Sequence, residues 1–164
     1  MTETPPLHLA VALDGAGWHP AAWREPGASP DQLLTAAYWT GLAAEAERAA
    51  LDFITIEDSL GLQSGRYDGP DPRADQVRGR LDAVLTASWI APLTSHIGLV
   101  PTATVTHTEP FHVSKAIATL DYLSLGRAGW RASCPGRGRT PCSGGGRRPP
   151  SAWRTSTSRK YSAS

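Results

Sequence analysis

Three groups of residues have the types and spacing to do chemistry. The first is Glu57-Asp58-Ser59, two carboxylates and a hydroxyl that close the short β-branched run Phe53-Ile54-Thr55-Ile56. In α/β folds ligands bind outside the carboxyl ends of strands, so acids there are candidates to hold a polar ligand. The same position also suits an acid that only caps the next turn. The second group is Thr102, Thr104 and Thr106, which alternate at the end of another apolar run and therefore point to one side. An acid and hydroxyls at adjoining strand ends suit a polar ring system with amide and hydroxyl edges. The third group is Asp14-Gly15-Ala16-Gly17-Trp18-His19-Pro20, a glycine-rich segment after a strand. A dinucleotide fingerprint needs a third glycine where Pro20 stands, a helix opening there, and an acidic strand end about 20 residues on. Here that acid comes about 40 residues on, so an ordinary loop is the better reading.

Metal chemistry is disfavoured. His107-Thr108-Glu109 matches the H-x-E of zinc deaminases and Pro141-Cys142 the start of their P-C-x-x-C, but position 145 is Gly. His107, Glu109 and His112 are explained as well by a loop and a helix surface, and no metal site is expected. Cys134 and Cys142 are the only cysteines and make no disulfide framework.

Alternating elements must position these groups. Leu7, Leu9, Val11 and Leu13 share one face of a short strand. Ser29-Pro30-Asp31-Gln32 reads as a capped helix start, followed by a stripe of Leu34, Tyr38, Leu42 and Ala46. The strand ending in Glu57-Asp58-Ser59 comes next, then a Gly/Pro/Asp-rich loop to about residue 74. A second helix keeps Leu81, Val84, Leu85 and Trp89 at helical spacing until Pro92, and a third strand covers residues 96–105. Pro110 opens a third helix with Val113, Ile117 and Leu120 on one side and Gly126 as its stop. The order β-α-β-α-β-α predicts a parallel sheet with right-handed crossovers, an α/β fold.

Charge divides the chain. Its 164 residues carry 16 basic and 15 acidic side chains, a formal +1. Residues 1–130 hold 8 basic and 15 acidic groups; residues 131–164 hold the other 8 basic groups and no acid. The second part is rich in Arg, Gly, Pro, Ser and Thr, has no periodicity, and is expected to be a disordered basic tail. A nucleic-acid arm is disfavoured because the body is acidic and offers no reading element. No run reaches the 18 apolar residues of a membrane span, and the N-terminus lacks the features of a secretory signal, so the expected compartment is the cytoplasm.

Five segments in order resemble one family: His19-Pro-Ala-Ala-Trp-Arg, residues 46–59, residues 96–104, Glu109-Pro-Phe-His-Val and residues 118–130. They are similar to the first part of the luciferase-like, flavin-dependent monooxygenases, in the branch with the nitrilotriacetate, dibenzothiophene-sulfone and pristinamycin enzymes. The resemblance implies the first three βα units of a TIM (β/α)8 barrel in residues 1–130. It also implies oxidation of a small organic substrate with O₂ and reduced FMN delivered by a separate flavin reductase. A homo-oligomer is a possible assembly. By that resemblance Asp58 and Thr104 contact FMN, and Trp18 and His19 border the substrate; no catalytic residue is named. Beyond Trp130 the pattern gives way to Arg131-Ala-Ser-Cys-Pro-Gly. The expectation is therefore a truncated, impaired chain whose tail is translated out of frame, whose third strand is an unpaired edge, and which retains FMN weakly. The alternatives are a non-catalytic flavin- or protein-binding fragment and, more distantly, a nicotinamide enzyme.

Overall fold

The computed structural model describes residues 6–19, 21–59, 77, 79–106 and 108–133. The glycine-rich loop after the second strand and residues 134–164, with Cys134, Cys142 and most of the expected tail, lie outside the described residues. Four strands, β1 (Ala10–Leu13), β2 (Phe53–Ile56), β3 (Gly98–Thr104) and β4 (Arg131–Ser133), form one sheet in the order β1-β2-β3-β4. Every pairing is parallel. Helices α1 (Ala36–Arg48), α2 (Ala83–Ile90) and α3 (Pro110–Ser124) are the crossovers, so the α/β alternation expected from the sequence is the observed one. Among the described residues no helix is long and apolar enough to cross a membrane.

The core lies between one face of the sheet and the helices. Leu13, Ile54, Ile56 and Leu99 meet Trp39, Ala43 and Ala46 of α1, Ala83, Ala87 and Ile90 of α2, and Leu120 of α3. Two helical faces differ from the sequence expectation. Residues 30–32 make only a 3-10 turn, and α1 starts after Thr35, whose hydroxyl accepts the Tyr38 N–H. The Trp39 indole donates to the Leu33 carbonyl at 2.8 Å and holds this kink. The buried stripe is therefore Trp39, Ala43 and Ala46, with Tyr38 and Leu42 at its flank and Leu34 exposed. On α2 the small residues Ala83, Thr86 and Ala87 face the sheet and let the helix approach closely, which turns Leu85 and Trp89 outward at 69% and 54% exposure.

The first strand is also shorter than its alternation suggests, and Leu7 and Leu9 are exposed. At the other end of the sheet the expectation of an unpaired β3 is corrected. Thr102, Ala103 and Thr104 pair with Arg131, Ala132 and Ser133, so part of the segment assigned to the tail is the fourth strand. Close approach makes this possible: a Cβ on Gly129 would stand 3.0 Å from Val100 Cγ2.

Candidate site at the carboxyl ends of the strands

Strand register decides which side chains meet. Leu13 pairs with Ile56 and Ile56 with Pro101, so the next residues, Asp14, Glu57 and Thr102, follow at one level, and Thr102 pairs with Arg131. On the sheet face away from the helices this gives a row of acid, acid, hydroxyl and guanidinium. Glu57 Oε2 accepts a hydrogen bond from Arg131 Nη2 across β3. Asp14 is held by Arg80, whose Nε and Nη2 donate to its two oxygens at 2.6 and 2.7 Å, with both side chains largely buried. The Asp14 carboxylate holds the Arg80 guanidinium above its ordinary range against the opposing cost of burial, and the charges of Glu57 and Asp58 add to the effect. The row is incompletely satisfied. Thr55 Oγ1, Glu57 Oε1 and Thr102 Oγ1 are buried without a hydrogen-bond partner among the described residues.

Between the strand ends and the first turns of α2 and α3, Asp58 from the end of β2 and Thr104 from the end of β3 line one cavity of about 280 Å³. Asp82, Thr108 and His112 supply its other polar groups, and Val84, Leu85, Ala103, Val113 and Ala116 its apolar wall. Asp58 Oδ1 accepts the Ser59 N–H at 2.6 Å, and Asp82 caps α2 by accepting the Leu85 N–H at 2.8 Å. The two residues expected to contact a cofactor are thus brought together. Thr106 is exposed and outside the cavity lining.

Trp18 and His19 sit in the loop after β1 and do not line this cavity. The Trp18 indole donates to the Ala12 carbonyl at 3.2 Å, and His19 Nδ1 accepts the Ala21 N–H at 3.1 Å. Gly15 and Gly17 adopt φ of 52° and 128° in a tight turn closed by Gly17 N–H to Asp14 O at 2.8 Å. No α-helix starts there, in keeping with an ordinary loop. His107 lies outside the described residues, and among those described no group of three or more acids, histidines or cysteines is placed to hold a metal. Sequence reasoning missed Arg80, Asp82 and the pairing of Arg131. Arg80 and Asp14 are 66 positions apart, and no local pattern links them.

A family profile described as luciferase-like monooxygenase matches residues 17–137, most of the chain and past Trp130. The chain belongs to the luciferase-like monooxygenase family. It is 40% identical over 124 residues to N-acetyl-S-(2-succino)cysteine monooxygenase of Bacillus subtilis (strain 168), covering 76% of this chain and 26% of that enzyme. It is 33% identical over 129 residues to nitrilotriacetate monooxygenase component A of Aminobacter aminovorans, covering 76% and 28%. Among solved structures it is similar to a riboflavin lyase described with modified FMN and riboflavin: 28% identity, TM-score 0.65, 77% of this chain and 30% of that one. The chain therefore spans less than a third of the length of these luciferase-like relatives, and its four-stranded sheet is a segment of their barrel.

Proposed function

We propose that this chain carries the amino-terminal part of the flavin site of a two-component monooxygenase that oxidises a small organic substrate with O₂ and reduced FMN from a separate reductase. The observation that carries the reading is the meeting of Asp58 and Thr104, from different strands, in one cavity at the carboxyl ends of the sheet. The residues fit the edge of a flavin ring: a carboxylate and hydroxyls for its N–H and carbonyl groups, and an aliphatic wall for its face. When bound, reduced flavin supplies the reaction with O₂. In this reading Asp58 accepts a ring N–H, Thr104 donates to a ring oxygen, and the half-buried Val84 and Val113 side chains shield that edge from water. Trp18 and His19 are assigned to the substrate side of the first loop.

Barrel phosphate sites are usually built after strands 7 and 8, so the described residues bind the ring and not the phosphate. Titration of the 164-residue chain with FMN and with riboflavin, followed by flavin fluorescence, tests this. Weak binding of both, with constants within about twofold of each other and weakened about tenfold in Asp58→Ala, is expected. Undiminished binding in Asp58→Ala, or preference for NADH, would overturn it. The second reading, a non-catalytic flavin- or protein-binding fragment, is favoured by the exposure of Leu85, Trp89, Leu93 and Phe111. Flavin binding without substrate oxidation when a reductase is added would support it.

A further inference from the structure

We infer that Arg80 is a positioning residue for the strand-end cavity. Adjacent strands end in carboxylates: Asp14 follows β1, Glu57 and Asp58 follow β2, and the Glu57 N–H donates to the Leu13 carbonyl at 3.0 Å. Like charges this close repel unless cations stand between them. Arg131 serves Glu57 and Arg80 serves Asp14. The two pairs differ in reach. Arg131 belongs to the sheet, whereas Arg80 belongs to the segment that enters α2, so its fork fastens that segment over the top of the sheet.

Two residues further on is Asp82, which caps α2 and lines the same cavity as Asp58. The Asp14–Arg80 clamp therefore holds Asp82 in place relative to the strand end that carries Asp58, while the guanidinium charge is felt by Glu57 and Asp58. A lysine cannot reproduce this, because one ammonium does not engage both carboxylate oxygens in the plane of a fork. The ligand in this inference rests on the flavin reading above; the clamp does not.

The test compares the 164-residue chain with Arg80→Gln and with the neutral pair Asp14→Asn/Arg80→Gln, which leaves no buried unpaired charge. Three quantities are measured: melting temperature, the FMN dissociation constant, and amide hydrogen exchange. Arg80→Gln is expected to weaken FMN binding about tenfold and to speed exchange at residues 57–59 and 82–85 by a similar factor. The neutral pair is expected to recover the melting temperature while FMN binding stays weak and exchange at those residues stays fast, with the amides of Ile54 and Leu99 unchanged. If the neutral pair also restores FMN affinity and local protection, Arg80 only stabilises the fold and the inference falls. Should Arg80→Gln fail to fold, the neutral pair alone decides. Should the unaltered chain bind no FMN, the flavin reading fails, and the exchange data still decide the role of Arg80.

Discussion

At the amino ends of the strands Glu47 and Arg127 finish mainly on backbone groups; at the carboxyl ends Asp14 and Glu57 finish on guanidinium groups. Glu47 Oε1 accepts the N–H groups of Ser95, His96 and Ile97 where the chain enters β3. The Arg127 guanidinium donates five hydrogen bonds, to the carbonyls of Ser124, Ile97, Ala91 and Thr94 and to the Thr94 hydroxyl, at 2.7 to 3.0 Å. At the opposite edge Asp14 and Glu57 are neutralised by Arg80 and Arg131, and Thr55 Oγ1, Glu57 Oε1 and Thr102 Oγ1 are buried without a partner among the described residues. In (β/α) barrels the amino-terminal face carries stability and the carboxyl-terminal face carries the site. Here the difference is visible atom by atom, and it can be broken or sharpened by substitution.

The largest effect is expected at Arg127. Replacing it with Ala leaves four carbonyls and a hydroxyl without their donor, just after α2, at the entry to β3 and at the end of α3. A loss of about 3 kcal/mol in urea denaturation is expected, because hydrogen bonds to a charged group are worth about 1.5–3 kcal/mol and these act as one unit. Lysine should recover little of it, since a single ammonium cannot span acceptors on both sides of the guanidinium plane. A loss no greater than that of a surface substitution would remove half of the contrast.

Glu47 comes next and adds a pH signature. The His96 amide above all, helped by those of Ile97 and Ser95, holds its carboxyl below the ordinary glutamate range, against a smaller opposing effect of burial. A carboxylate with a depressed folded pKa contributes stability above its unfolded value, about 4.3, and that contribution is lost as pH falls through the folded value. Glu47→Gln should cost about 1–2 kcal/mol at pH 7. Its stability should also fall less steeply with acid below about pH 4.3 than that of the unaltered chain. Parallel acid profiles for the two chains would show that the carboxylate is not the anchor its geometry indicates.

How much of this contrast was legible in the sequence depends on the range of the interactions. The strand Phe53–Ile56, its acidic end and the parallel order follow from local alternation and from α/β spacing. Asp58 and Thr104 were singled out by the family resemblance, and the two line one cavity. The rotation of α1 was hidden because Trp39 and Tyr38 are both apolar enough to face a core, and the indole bond to Leu33 decides between them. Arg131 was counted with a basic tail because composition cannot resolve a strand of three residues. Arg127 and Arg80 were hidden for a common reason: apart from Ser124, the partners described for their side chains lie 30 or more positions away in sequence, and a charge in a loop carries no periodic signal.

The smallest effect is also the most direct comparison, because it opposes two hydroxyls of equal burial. Ser124 and Thr102 are both at 0% exposure. Ser124, at the amino-end layer, donates to the Asp121 carbonyl at 3.2 Å and accepts the Arg127 N–H at 3.3 Å. Thr102, in the strand-end row, has no partner for its hydroxyl among the described residues. A satisfied buried hydroxyl contributes about 1 kcal/mol, whereas an unsatisfied one costs about that much, and the shape of threonine is nearly that of valine. Ser124→Ala should therefore destabilise the chain by about 1 kcal/mol, and Thr102→Val should stabilise it by a similar amount. If the flavin reading holds, Thr102→Val gains stability without gaining FMN affinity, as expected where a site retains polar groups that the fold does not need. Equal destabilisation by both would mean that the Thr102 hydroxyl is satisfied in solution, and the two edges of the sheet would then differ in charge pairing alone.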